Sequence, residues 1–198
     1  MNAIAAASHV APYPYYRSLL AGPALAFDPE LKLWIASRAA VVREVMANPA
    51  CVVRPVGEAV PKAIAGSSAG EIFSRLVRMN EGAAHADTKM AIKQSLAALD
   101  LNEVARRTSH CAAMLADRPI NRWVVDLPSY VVADLLGLEE AELPRVALLM
   151  ADFVRCLSPL STPNQLAGAS TAAQALMVRF SELRMPAGVD LANLIGLL

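Results

Sequence analysis

The sequence is short of aromatic residues, of charge and of cysteine. Aromatics make up 5% and charged side chains 18% of its 198 residues, where an ordinary soluble domain carries about a quarter charged. Lys and Arg together number 18, and so do Asp and Glu. With no net charge there is no basic field to hold nucleic acid or an anionic membrane surface. Cys51, Cys111 and Cys156 lie far apart without a CxxC pairing, which argues against a disulfide framework and fits a reducing cytoplasm. Long apolar runs are also missing. Asp126, Pro128 and Asp134 interrupt residues 124–138, and Asp152 and Arg155 interrupt 146–157, so none reaches the roughly 18 residues of a spanning helix. No Lys or Arg precedes Arg17, so the amino terminus lacks the charged start of a signal peptide. Residues 1–11 read as a loose, Ala-rich arm. There is no fixed-period repeat, no HxxxH, HExxH or GxSxG, and no glycine-rich phosphate loop with its Lys.

What is present is apolar: 56% of the residues are hydrophobic, enough to rule out a disordered chain and to fill the core of one domain. Pro14 suits a first helical turn, and Gly22-Pro23 ends that helix. Two short apolar runs around Asp28-Pro29-Glu30 predict a β-hairpin. Ser37 is expected to cap a helix that stops at Asn48-Pro49. Cys51 to Val53 reads as a further strand, and residues 54–70, with Pro55, Gly57, Pro61 and Gly66, as a long loop. Helices are predicted over 71–79, 83–99 and from Asp100 to 116. Arg122 to Val125 reads as a strand, after which Asp126 caps a helix that Gly137 ends. Further helices are expected from Glu139 to about 156 and over 164–183, with a loop at 158–163. A last apolar helix over 190–198 reads as cut off, because its bare hydrophobic end has nothing to pack on. The expected class is mainly α with a small N-terminal β-sheet, as a single but incomplete domain over 1–198.

His85, Lys89 and Lys93 are spaced by four, so a helix places them on roughly one face. A histidine and a cation one turn apart can hold a pair of anionic oxygens, such as a carboxylate or phosphate. The same spacing also describes a plain solvated cationic face. His110 and Cys111 are neighbours and point apart on a helix. Cys111 and Cys156 sit between apolar residues and read as buried structural thiols.

Several strings, in order, carry a family resemblance. They are Pro12-Tyr-Pro-Tyr-Tyr-Arg-Ser-Leu-Leu-Ala-Gly-Pro23, the stretch from Leu33 to Pro49, Asn80-Glu-Gly-Ala-Ala-His-Ala-Asp-Thr-Lys89, and the stretch from Asp126 to Glu140 with its Leu-Leu-Gly-Leu turn. In this order the chain resembles the N-terminal half of a cytochrome P-450 of the soluble bacterial type, a heme-thiolate monooxygenase. The third string stands where that family has Asp-Gly-Pro-x-His-x-x-x-Arg, whose His and Arg hold the propionates of heme b. Carried over, the cofactor-binding positions are His85 and Lys89. Lys at 89 keeps the charge but loses the guanidinium fork, and Glu81 and Ala83 also depart from the pattern.

The resemblance implies a parent enzyme that oxidises a small organic substrate with O2 and electrons from a ferredoxin- or flavin-type redox partner. By the same resemblance, the 54–70 loop and the helix around Met150 to Leu157 line a substrate pocket, and Lys89, Lys93, Arg106 and Arg107 face the redox partner. The family's Phe-x-x-Gly-x-x-x-Cys-x-Gly loop and its Gly-x-Asp/Glu-Thr-Thr helix are not in these 198 residues. The thiolate from that loop drives O–O cleavage, so the chain alone is expected to be inactive and to need a C-terminal half as partner. The other expectation is a non-catalytic helical interaction protein that keeps half the fold.

Overall fold

The computed structural model describes residues 1–55 and 57–183. The helix expected at 190–198 lies outside them. The chain divides into two compact units, Met1–Val52 and Val53–Leu198.

The first unit holds α1 (Ala3–Ala6), α2 (Tyr13–Ala21), the strands β1 (Leu25–Asp28) and β2 (Leu33–Ala36), and α3 (Ala39–Ala47). The N-terminal arm is therefore not wholly loose. Asn2 caps α1 by accepting the Ala5 N–H at 3.0 Å, and Tyr16 Oη donates to the Ala6 carbonyl at 3.4 Å. The hairpin forms as expected, with Phe27 opposite Trp34 and their rings 5.3 Å apart. Asp28 builds its turn, Oδ1 accepting from the N–H groups of Glu30 and Leu31, each at 3.0 Å. Ser37 does not cap α3. Its hydroxyl turns back to the Pro23 and Ala24 carbonyls, and Arg38 stands at the N-cap without a side-chain bond.

The second unit is a helical bundle: α4 (Ser68–Arg75), α5 (Gly82–Ala97), α6 (Leu101–Met114), α7 (Ile120–Leu135), α8 (Leu143–Phe153) and α9 (Pro163–Ser181), with 3₁₀ turns at Lys62–Ile64, Val77–Met79, Glu140–Glu142 and Val154–Leu157. Neither strand expected in this part of the chain forms. Residues 51–53 are irregular, and Arg122 to Val125 lie inside α7. The β-branched pair Val124-Val125 suggested a strand, but the described residues of the unit offer no second strand to pair with it, and helix packing overrides the local preference. Asp126 is consequently no cap. It sits buried in mid-helix, its carboxylate accepting from Arg122 Nε (3.0 Å) and Nη2 (2.9 Å) one turn earlier.

The other terminal signals hold. Asp100 Oδ1 accepts the Asn102 N–H at 2.9 Å and starts α6. Gly137 takes φ +89° after α7, so the Leu138 N–H reaches the Ala133 carbonyl and the Gly137 N–H the Asp134 carbonyl. Leu138 is buried against the bundle. Thr162 and Gln165 form a reciprocal capping box at the start of α9.

The core lies between α4, α6, α7, α8 and α9. α8 packs on both α7 and α9, α4 on α9, and α6 on α7. Leu115, Leu143 and Cys111 are its largest fully enclosed side chains. Ala169, Ala172 and Ala173 give α9 a small-residue face that lets neighbouring helices approach closely. Arg107 links α6 to α7, Nη1 donating to the Asp134 carbonyl (2.9 Å) and carboxylate (3.1 Å) while Nε donates to Glu103 (2.7 Å).

The end of the 54–70 loop is pinned to this core. Ile64 is buried, and the Ser67 hydroxyl caps α4 through the Gly70 N–H at 3.2 Å. A Cβ on Gly70 would stand 2.2 Å from the Ile64 carbonyl oxygen, so backbone would have to move. Gly70→Ala is expected to cost about 1–3 kcal/mol, as overpacking does. A lowered urea midpoint with an unchanged slope is the readout.

Candidate functional site

The turn before α5 is held by two side chains. Asn80 Nδ2 donates to the carbonyls of Ser74 and Leu76, each at 2.9 Å. The Glu81 carboxylate accepts the Val53 N–H at 2.6 Å, so it points away from the helix that it precedes. Gly82 then enters α5 with φ +66°, a conformation that other residues adopt at a cost. This geometry sets the Val77 carbonyl 3.0 Å from Nδ1 of His85. His85 is half-buried, whereas Lys89 and Lys93, one and two turns on, are exposed. The structure therefore places the three expected residues along one side of α5.

Several cations of the second unit are paired within it, and among the described residues those of α5 are not. Arg75 pairs with Glu71, Arg122 with Asp126, and Arg179 with Glu142 and Glu182. Arg106 and Arg107, expected to face a partner with the two lysines, both bind Glu103. The hydrogen bonds from Arg106 and Arg107 hold the Glu103 carboxyl well down, to about 2. Lys89 and Lys93 have no ion-pair partner among the described residues, and Nε2 of His85 has no hydrogen bond among them. The imidazole and the first ammonium on α5 are one turn apart, and neither Nε2 nor the ammonium has a partner among the described residues, which fits a ligand with two carboxylates.

The cysteines offer little to a metal. Cys111 and Cys156 are buried, and burial pushes both thiols up. Cys51 is exposed, in the first unit. Among the described residues, no three of His, Cys, Asp and Glu gather as a metal site, and no helix is long and apolar enough to cross a membrane.

A groove of about 660 Å³ opens between α8 and α9 beside Ser68 of α4. Ser68 Oγ donates to Gln174 Oε1 at 2.7 Å in its wall, and the Glu142–Arg179 pair crosses α8's approach to α9. The residues expected to wall a substrate pocket lie elsewhere. Met150, Phe153 and Cys156 are in the core, and of the described residues in the 54–70 stretch Ser68 alone lines the groove. The sequence reading did not find this groove. The Glu139/Glu142 capping box was a legible signal for where Glu142 would sit, but nothing in the chain announces its pairing with Arg179, 37 positions away.

No family model matches the sequence, and the search of curated proteins returns no match. Among solved structures, the crystal structure of CalO2 is similar at a TM-score of 0.65 and 19% identity, over 98% of this chain and 51% of that chain. At that identity the likeness establishes a shared fold. The chain spans about half the length of this neighbour.

Proposed function

We propose that this chain forms the N-terminal half of a cytochrome P-450-like heme-dependent monooxygenase, and that the α5 face of His85 and Lys89 holds the heme propionates. The observation that carries the reading is the pairing of His85 and Lys89 one turn apart on α5, without a partner at Nε2 or the ammonium among the described residues, on a fold that spans half of its solved neighbour. Heme, when bound, supplies the oxygen-activating chemistry. The residues of this chain supply orientation: the imidazole and the ammonium fix the carboxylate edge of the macrocycle. The thiolate and the oxygen-activating helix belong to a complementary portion, on the same or a separate polypeptide, that also completes the substrate pocket. The chain by itself is accordingly inactive, and its electrons would arrive from a ferredoxin- or flavin-type partner at the exposed lysine side of α5.

A substitution series on α5 tests the residue assignments. Lys89→Arg is expected to bind hemin as tightly as the parent chain or more so, since a guanidinium meets a carboxylate with two parallel bonds. Lys93→Ala is expected to leave hemin affinity within about twofold, because an exposed charge without a fixed partner is worth at most a few tenths of a kcal/mol. Tryptophan quenching by hemin reads both. A larger loss at Lys93 than at Lys89 would move the site along the helix.

A second reading has a specific observation behind it. The outward face of α7 is apolar and exposed at Ile120, Val124 and Val125, as expected of an interaction module that docks on another protein through the retained half-fold.

A further inference from the structure

His85 is committed to one tautomer by its neighbour, and this decides how it can contact an anion. A backbone carbonyl only accepts hydrogen bonds. With Nδ1 3.0 Å from the Val77 oxygen, the hydrogen of the neutral ring therefore sits on Nδ1, and Nε2 carries a lone pair. A lone pair repels a carboxylate. Nε2 becomes a donor only when the ring takes up a second proton. We propose that His85 is a proton-gated anion contact: Val77 is its positioning residue, and an anionic oxygen is held at Nε2 by the imidazolium form alone.

The inference rests on the reading of α5 as a carboxylate-binding face, and it adds a proton to that face's chemistry. Binding of a heme carboxylate at His85 then takes up one proton wherever the free ring is neutral. Affinity therefore falls as pH rises until the whole contact is lost, a few-fold in all for a half-buried group. The charged residues on the elements that carry the ring and its carbonyl partner are Arg78 on the 3₁₀ turn with Val77, and Glu81, Asp87, Lys89 and Lys93 on and before α5. Glu81 is turned to the Val53 N–H. The remainder are cations except Asp87, two positions along the helix and so off the shared face.

Nitrogen-15 spectra of the chain labelled at histidine, recorded from pH 5 to 9, test the tautomer without any ligand. The neutral His85 ring is expected in the Nδ1–H form, and an Nε2–H form would overturn the inference. The same titration with hemin, and with hemin dimethyl ester as control, tests the reading beneath it. Hemin is expected to raise the His85 midpoint and the ester to leave it in place. An Nδ1–H ring whose midpoint hemin does not move would keep the tautomer and sink the propionate assignment. Two variants separate the ring nitrogens: the amide nitrogen of Gln occupies roughly the Nε2 position, and that of Asn the Nδ1 position. His85→Gln is expected to bind hemin with an affinity that no longer changes between pH 5.5 and 8, while His85→Asn keeps only the Val77 bond and binds as weakly as His85→Ala. A parent chain whose hemin affinity is as flat with pH as that of His85→Gln would also overturn the inference.

Discussion

Val124→Lys is expected to convert the isolated chain from a self-associating species to a predominantly monomeric one. The reason lies in how α7 distributes its side chains. Its core face carries Tyr130, Ala133 and the Arg122–Asp126 pair, and Asp134 turns toward Arg107. The outward side carries Ile120, Val124 and Pro128, flanked by Val125 and Asn121, whereas Val131 packs against the core. Ile120 and Val124 are 71% and 73% exposed, and no charge lies on that face. An apolar stripe left exposed on a helix whose other side already lies on a core is a surface fit to be covered, and large uncovered patches drive association. Burying one valine contributes about 1.5 kcal/mol, and a lysine in its place must also be desolvated. The association constant should therefore drop by at least about tenfold. Sedimentation velocity over a concentration series reads it. A parent chain that stays monomeric to high concentration would show that the α7 face is not adhesive, and would weigh against both the half-enzyme and the docking readings.

The second large effect is an absence. The chain mixed with hemin, reduced and exposed to CO, is expected to give none of the thiolate-type absorption that names the P-450 family. Two of the three cysteines cannot supply a thiolate ligand from the folded state. Cys111 is fully enclosed, and Cys156 is 6% exposed. A charge at either site would be buried in the core, which is why their thiols are pushed up rather than down. Cys51 is accessible, but it lies outside the bundle unit and lacks the glycine-bounded loop of the family pattern. Cys51→Ala identifies any adventitious ligation. A thiolate-type band that survives Cys51→Ala would mean that the core opens to present Cys111 or Cys156, and the assignment of the thiolate to a complementary portion would fail.

The sequence made most of the helices and the hairpin legible because their ends are chemically marked. Asp100, Gly137 and the Asp28 turn each place a side chain or a glycine where the backbone needs it, and the structure uses all three. The errors came where a local signal had two readings. Ser37 is a good capping residue and an equally good partner for a strand carbonyl, and the nearby hairpin decided the matter. Asp126 before Pro128 looks like a helix start, yet α7 begins six residues earlier, and the proline is carried inside the helix with its ring on the exposed side. On α5, the shared side of His85, Lys89 and Lys93 followed from their spacing. Val77 could not have been found that way. It contributes a backbone carbonyl, which every residue has, and its position depends on how Asn80 and Glu81 fold the preceding turn.

The central claim is that α5 recognises carboxylates on a heme, and the most direct measurement compares hemin with its dimethyl ester. The two differ only in whether the propionates are charged. In the isolated chain Lys89 is exposed and His85 half-buried, so each contact is worth about 0.2–1 kcal/mol rather than the larger value of a sheltered site. The parent chain should therefore prefer hemin by several-fold at pH 6, and the double variant His85→Ala/Lys89→Ala should bind the two compounds equally. Supplying the complementary portion would shelter the face, and the same double substitution should then cost about ten- to hundredfold per contact. Equal binding of hemin and ester by the parent chain would contradict the account, leaving α5 as a solvated cationic surface.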